Sequence, residues 1–456
     1  MAPDAASPGC AGVTLVMPTR VLIVGAGARE HALAWKLSLE PGVNEVIVAP
    51  GSMAIAQEPR VRCLPNVDPL DGGSVVAAAG AEAVELAVIG PEAPLAAGVA
   101  DELRAAGVAT FGPSAAAARI ESSKAFCREI ADAAGVPMAR GRAFDEPDAA
   151  VTYARALAAD GGVVVKADGL AAGKGVTVCT EPGEAEEAIR RLFTAEPRSR
   201  VVVEERLEGR EASVIALSDG RDVAALPAAR DHKRLLDGDA GPNTGGMGGY
   251  SPLPDLDDEA VERILDRVHL PILAELARRG TPFVGALFAG LMLTERGPVV
   301  LECNARFGDP ETQISLPRLA VALGPLLLAA TRGDLAGAVR GLGVRGSLLP
   351  VLPGPTVAIV LASAGYPDAP RAGGAISGLD SAAETGALVF HAATRATDEG
   401  FEAKGGRVLT VVARGGDLGD ARARAESAAD AISFDGAQRR RDIGLVREAA
   451  TAGSNR

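Results

Sequence analysis

Aromatic side chains are scarce in this chain of 456 residues: Phe, Tyr and Trp together make up 3%. Its core must therefore be built mainly from Ala, Val and Leu. A basic excess is also lacking, since 46 Lys and Arg face 59 Asp and Glu for a formal charge of −13. That balance argues against broad binding to nucleic acid or to an anionic membrane, but leaves room for a local basic pocket around a phosphorylated metabolite. The five cysteines (Cys10, Cys63, Cys127, Cys179, Cys303) are dispersed and form no C-x-x-C. Neither a zinc site nor a disulfide framework is indicated, and a reducing cytoplasm fits best. No run approaches the roughly 18–20 apolar residues that cross a bilayer. Residues 1–19 lack the basic start and cleavage pattern of a signal peptide. They are expected to form a disordered extension, with Met17 as an alternative translation start.

Against these absences stands a hydrophobic content of 48%, with 23% charged residues. The length suffices for about two to four domains with buried cores. Short apolar runs at Arg20–Val24, Glu45–Ala49, Leu86–Ile89 and Ala109–Phe111 alternate with helical stretches such as Leu95–Ala106. This alternation predicts a parallel α/β domain over residues 20–121. Ser122 or Ser123 is placed to cap a helix carrying Lys124, Phe126 and Ile130, ended by Gly135-Val136-Pro137. A second domain is expected over 122–330, with a subdomain at about 137–198 made of strands Val163–Ala167 and Val176–Cys179 and a helix over Glu184–Phe193. Val201–Glu205 and Ala212–Leu217 read as strands of a further sheet. Residues 230–254, rich in Gly, Asp, Asn and Pro, read as a long functional loop. A helix over Asp258–Arg279 and strands Gly285–Leu293 and Val299–Asn304 complete this part. Pro355–Ala362 and Arg407–Ala413 are strands of a small α+β domain over 331–450. The fold class is thus multidomain, α/β followed by α+β.

The chemistry concentrates behind the strand P-V-V-L-E-C-N, where Arg306–Gln313 reads R-F-G-D-P-E-T-Q. Strand alternation puts Glu302 and Asn304 on one face. A carboxylate and a carboxamide side by side are hard oxygen ligands suited to Mg²⁺ bridging to nucleotide phosphates. Arg306 follows at the same spacing and could clamp a phosphoryl oxygen, while Asp309 and Glu311 add charge in the turn. A solvated loop with local salt bridges is the bland alternative for so many charges.

Three glycine-rich segments add to this. Gly25-x-Gly27 follows a strand, but the third glycine of a dinucleotide fingerprint is replaced by Glu30, and the second strand ends Val48-Ala49-Pro50 without the ribose-binding acid. The turn remains an anion site in outline, with Arg29, Glu30 and His31 at its rim, or else a structural tight turn. Gly169–Gly175 departs from a Walker loop in spacing and in Gly175, and it lies between two strands. It reads as a flexible hairpin that carries Lys174 over a triphosphate, with Lys166 pointing into the same space. Asp231-His232-Lys233-Arg234 and the following G-P-N-T-G-G-M-G-G combine charge with a backbone free to approach a ligand. No Ser-His-Asp order or cysteine nucleophile pattern stands out.

Taken in order, these segments resemble the phosphoribosylamine–glycine ligase family of ATP-grasp enzymes, from about Val21 to Gly444. R-F-G-D-P-E-x-Q, D-H-K-R, G-P-N-T-G-G-M-G, K-A-D-G-L-A-A-G-K-G at Lys166–Gly175, G-A-R-E-H-A-L at Gly27–Leu33 and R-D-I-G at Arg441–Gly444 carry the likeness. It implies a pre-ATP-grasp N-terminal domain, a two-part ATP-grasp core with a glycine-rich lid, and the small C-terminal domain. It also implies ATP-driven joining of glycine to 5-phosphoribosylamine through glycyl phosphate, in purine biosynthesis. Glu302 and Asn304 would hold Mg²⁺, with Mn²⁺ as a substitute. Lys124, Lys166, Gly173, Lys174 and Gly175 would surround the phosphates, Glu204, Glu205 and Leu207 the adenine, and Glu211 the ribose. Arg306, Lys174 and Asp309 would act in catalysis. Gly27, Arg29, Glu30, Glu92, Asp231, Lys233, Arg234 and Asp309 would face glycine or the sugar phosphate. A cytoplasmic monomer is expected, touching neighbouring pathway enzymes transiently and binding neither nucleic acid nor membrane.

Two departures from the family pattern are visible. The strand Gly285–Leu293 has no carboxylate, where many ATP-grasp enzymes place a further metal ligand. The familiar P-G-N-x-G turn appears as Pro50-Gly51-Ser52-Met53-Ala54. A carboxylating ATP-grasp relative is the runner-up reading and would turn over ATP with bicarbonate and without glycine. An oxidoreductase would need the missing acid after Val48. An ATP-sensing module would be expected to have lost Glu302, Asn304 or Arg306.

Overall fold

The computed structural model describes residues 15–159, 161–170, 175–195 and 200–445. The N-terminal unit is a parallel sheet of five strands, ordered Val61–Cys63, Glu45–Pro50, Arg20–Gly25, Leu86–Ile89, Thr110–Phe111. Four of these are the predicted ones. Val61–Cys63 is too short and too polar in pattern to be read from sequence. The strands are apolar on both faces because helices cover both, as parallel sheets require. Of the residues expected in a disordered extension, 1–14 lie outside the described region. Leu15 and Met17 pack against the core.

The chain then enters a small antiparallel sheet, ordered Gly141–Phe144, Val201–Glu205, Val163–Ala167, Val176–Cys179. Helices Pro147–Ala158 and Pro182–Ala195 cover it and give it a hydrophobic core of its own. This corrects one expectation, because Val201–Glu205 belongs to this subdomain and not with Ala212–Leu217. The latter lies in Arg210–Asp219, within a second antiparallel sheet ordered Val223–Ala225, Arg210–Asp219, Val284–Thr294, Gly297–Asn304. One apolar strand looks like another in sequence; its partner is fixed by the register of distant residues. The predicted helix over 258–279 forms as Asp258–Ile264 and Leu270–Arg278, joined by a π-helical turn.

Residues 230–254 are a second correction. They fold into the strands Arg230–Asp231, Arg234–Leu236, Ala240–Asn243 and Gly248–Ser251 instead of an open loop. Two of these, Arg230–Asp231 and Gly248–Ser251, begin the C-terminal sheet, continued by Thr356–Ala362, Arg407–Arg414 and Leu388–His391. The C-terminal unit is thereby stitched to the middle of the chain. Helix Leu418–Ala431 packs across Thr356–Ala362 and Arg407–Arg414. By contrast, helix Leu335–Gly341, expected within the C-terminal domain, packs against Val223–Ala225.

A further seam joins the two ends of the molecule. The His391 N–H donates to His31 Nδ1 at 3.0 Å, so the other ring nitrogen of His31 carries the proton facing Glu58 Oε1 at 3.1 Å. His391 is itself buried between His31 and Phe401, and burial, with His31 adding to it, pushes its imidazole down to about 3. A histidine depressed in the fold keeps its stabilising contribution above the ordinary histidine range and loses it as pH falls toward the folded value. Between pH 7 and 5 that loss is on the order of 2 kcal/mol. His391→Phe is expected to remove this part of the acid slope, as read from denaturant unfolding at the two pH values; an unchanged slope would contradict it.

No helix among the described residues is long and apolar enough to cross a membrane. Among the described residues Cys63, Cys127, Cys179 and Cys303 are free thiols.

Candidate active site

Strand Gly297–Asn304 brings Glu302 and Asn304 to the junction of all these units. Lys233, from the Asp231–Arg234 segment, places Nζ 3.2 Å from Glu302 Oε1 and 3.3 Å from Glu211 Oε2. From the lid side, Lys166 donates to the Leu301 carbonyl at 2.9 Å. Lys233 chiefly, with Lys166 and Arg306 assisting against burial, holds the Glu302 carboxyl down to about 2. The Glu302 carboxylate therefore stays ionised at any working pH. Its register partner on the neighbouring strand is Gly290, and a Cβ there would come within 3.1 Å of Glu302 Cγ. The strand Val284–Thr294, which carries no carboxylate between Gly285 and Leu293, thus sets a glycine against the Glu302 side chain. Among the described residues no group of three or more His, Cys, Asp or Glu forms a closed metal nest. An ionised carboxylate beside a carboxamide oxygen nevertheless fits Mg²⁺, which commonly takes one or two protein ligands and completes its shell with phosphates and water.

The lid meets this strand through its stem. Ser123 caps helix Lys124–Ala134, its hydroxyl accepting from the Phe126 N–H at 3.1 Å, while Asp168 accepts from the Ala125 N–H at 3.2 Å. Lys124 Nζ donates to the Gly169 carbonyl at 2.9 Å, and burial pulls its ammonium below the usual lysine range. The hairpin closes with the Ala167 N–H donating to the Gly175 carbonyl at 2.8 Å. Gly173 and Lys174, the predicted tip, lie outside the described residues. Glu204 is buried, its carboxylate held by Lys166 at 2.5 Å and Arg128 at 2.5 Å. Its side chain is thus internal, and only its backbone could face a base. Glu205 accepts from the Arg140 N–H at 2.9 Å, and Leu207 is half-buried beyond it.

The R-F-G-D-P-E-T-Q turn gathers several of the residues expected on the substrate side. Arg306 places one terminal nitrogen 3.0 Å from Glu121 Oε1, and its Nε lies 3.4 Å from Glu92 Oε2. Burial opposes ionisation of Glu92, but Arg306 and Arg29 outweigh it and keep that carboxyl below the usual range. Asp309 accepts from Gln313 at 2.7 Å and pairs with Arg407 at 3.0 Å, so its carboxyl also lies low despite burial. Arg407 donates in addition to the carbonyls of Gly245 at 2.5 Å and Asp309 at 2.9 Å. The C-terminal unit therefore grips both glycine-rich segments of the site. Burial, reinforced by Glu311, pushes the Asp231 carboxyl well up, and its Oδ1 is buried without a hydrogen-bond partner. Gly246 backs onto it at φ +112°, where a Cβ would meet Pro310 Cδ at 2.6 Å and Asp231 Oδ1 at 2.8 Å. Only glycine fits there.

Several predicted substrate residues are differently placed. Arg29 and Glu30 are not at the rim of the Gly25–His31 turn but buried beneath it. Glu30 accepts from the Gly27 N–H at 2.7 Å and from Arg29 Nε at 2.6 Å, and Arg29 also donates to the Phe307 carbonyl at 3.1 Å. The pair braces the turn against the signature loop. The Arg234 guanidinium turns back to the Gly241 carbonyl at 2.6 Å within its own hairpin. In the altered turn after Pro50, Met53 is exposed and Ser52 Oγ accepts from the Ile55 N–H at 3.3 Å.

Glu121 and Arg407 were missed from sequence. One sits in an alanine-rich helix and the other opens an apolar strand, and nothing local distinguishes them from surface charges. For Glu121 the only hint is its place just before the Lys124 helix.

Comparison with known proteins matches nearly the whole chain. The family described as Phosphoribosylglycinamide synthetase matches in three parts: its N domain over residues 19–121, its ATP-grasp (A) domain over 122–312 and its C domain over 356–446. Phosphoribosylamine–glycine ligase of Streptomyces coelicolor is 50% identical over 430 residues, covering 93% of this chain and 98% of that one. The ligase of Agrobacterium fabrum is 44% identical over 437 residues, covering 94% and 100%. The crystal structure of the Thermotoga maritima ligase superposes with a TM-score of 0.75 at 30% identity, over 93% of this chain and 100% of that one. A Hydrogenobacter thermophilus biotin carboxylase domain shares the fold alone, with a TM-score of 0.66 at 17% identity over 93% and 92%. The chain, with its three matched domains and a site gathered where they meet, belongs to the phosphoribosylamine–glycine ligase family.

Proposed function

We propose that the chain joins glycine to 5-phosphoribosylamine at the expense of ATP, by way of glycyl phosphate. The observation that carries this reading is the convergence of Lys166, Lys233 and an ionised Glu302 on one strand end, with Arg306 on the next turn. A carboxylate does not condense with an amine until one of its oxygens becomes a leaving group. Phosphorylation of glycine supplies one: the γ-phosphorus–oxygen bond to ADP breaks as a bond to the glycine carboxylate oxygen forms. The amine of phosphoribosylamine then attacks the carbonyl carbon, phosphate departs, and a proton leaves the nitrogen.

Most of the catalytic power in the first step comes from positioning and charge balance. Mg²⁺ held by Glu302 and Asn304 would neutralise phosphate charge. Lys124, Lys166 and Lys174 share that work, and Arg306 steadies the transferred phosphoryl group. The backbone at Glu204, Glu205 and Leu207 lines the base, and Glu211 the ribose. The hairpin Gly169–Gly175 would act as a lid that keeps water from the acyl phosphate. Asp309, Asp231, Lys233 and Glu92 face glycine and the sugar phosphate; Gly27, Arg29, Glu30 and Arg234 shape that side through the backbone and packing. A cytoplasmic monomer remains the working expectation.

Glycine labelled with ¹⁸O in its carboxylate tests the intermediate. One label should appear in inorganic phosphate for each turnover, and unlabelled phosphate would reject glycyl phosphate. Lys174→Ala is expected to raise KM for ATP roughly tenfold or more through loss of a charge-assisted phosphate contact. Unchanged ATP kinetics would remove Lys174 from the scheme.

A further inference from the structure

Arg306 depends on a partner that no motif reveals. Glu121 ends the helix Ala115–Ser122, and its side chain is only 8% exposed. One carboxylate oxygen lies 3.0 Å from the Arg306 guanidinium, and the other accepts from the Ala305 N–H at 2.7 Å. Both oxygens are thus spent on the two residues that follow the Glu302/Asn304 strand. The helix itself packs between the helix Glu92–Ala97, which bears the other Arg306 partner, and strand Gly297–Asn304, and it leads directly into the Lys124 helix.

We propose that Glu121 is a positioning residue for the reaction, setting the direction of the Arg306 guanidinium relative to the Glu302/Asn304 strand end; this rests on the role given to Arg306 above. A buried ion pair is a poor stabilising device, because desolvation cancels most of its attraction. What this pair supplies is direction. Arg306 has further carboxylates within reach of its charge, Glu92, Glu311 and Asp309 among them. Without Glu121 the guanidinium is drawn toward these and away from the phosphoryl path. The contacts to Glu121 and to the Phe307 carbonyl at 3.2 Å, with Nε buried 3.4 Å from Glu92, engage only part of the five N–H donors of the guanidinium.

The test is a double-mutant cycle on the full chain with Glu121→Gln, Arg306→Gln and the pair, with kcat and KM for ATP measured separately and thermal unfolding followed in parallel. Glu121→Gln should lower kcat about tenfold or more while KM for ATP moves less than about threefold. In the Arg306→Gln background the same change should cost almost nothing further, because a residue acting through another has no effect once that other is gone. If Glu121→Gln fails to accumulate folded, Glu121→Asp, which keeps the charge but reaches one contact fewer, takes its place under the same criteria. Overturning results are a kcat within twofold of wild type, or single effects that multiply in the double variant. If Arg306→Gln itself leaves ADP formation unchanged, it is the assignment of Arg306 that fails.

Discussion

Replacing Glu302 by Ala is expected to lower turnover by roughly 10²–10³-fold or more while leaving the molecule folded. The two halves of that statement have different physical origins. The Glu302 side chain is about a third exposed, and its partner Lys233 retains Glu211 at 3.3 Å when Glu302 is gone. Loss of such a half-exposed pair costs about 1 kcal/mol or less in stability. The catalytic cost is larger because the carboxylate is one of the two hard oxygen groups proposed to hold Mg²⁺ on that strand face, and Lys233 already holds it ionised. Glu302→Gln should behave nearly as badly, since it keeps shape but not charge. Steady-state ADP release and thermal unfolding on the same preparations check both halves; near-normal turnover in a folded variant would reject Glu302 as a metal-side group.

Arg306→Ala is expected to damage both stability and activity. Its removal leaves the buried Glu121 carboxylate facing Glu92 without its direct ion-pair partner, with the weaker pulls of Arg29 and Lys124 left to offset the repulsion. Burial already raises the Glu121 carboxyl, and Arg306 is the main influence opposing that. Breaking a buried pair on one side costs about 3–5 kcal/mol, and loss of a phosphoryl-facing guanidinium costs a further ~10²-fold or more in kcat. Arg306→Lys should recover much of the stability and little of the rate, because an ammonium restores charge without the planar fork. A Lys variant as fast as the parent would show that only charge matters at this position.

The contrast between these residues and the missed ones shows what a sequence discloses. Glu302 and Asn304 were legible because strand alternation is local, and it fixes a shared face whatever the strand pairs with. Lys124 was legible because Ser123 and Gly135 punctuate its helix. The parallel N-terminal sheet followed from the alternation of apolar runs with helical ones. Val201–Glu205 pairs outside the sheet expected from sequence because pairing is decided by residues far along the chain. The strands within 230–254 stayed hidden because Gly, Asn and Pro dominate them, and because Gly248–Ser251 gains its partner only from Thr356–Ala362. Buried charge was the hardest to read. Arg29, Glu30, Glu121 and Glu204 carry the composition of a solvated surface, and only their partners show them to be internal.

The most direct test of the central claim is ADP release by the purified chain with freshly prepared phosphoribosylamine, with and without glycine. Release that requires both substrates, and that bicarbonate cannot support in place of glycine, is the expected result. ADP formed at the same rate without glycine, or formed with bicarbonate instead, would contradict the account.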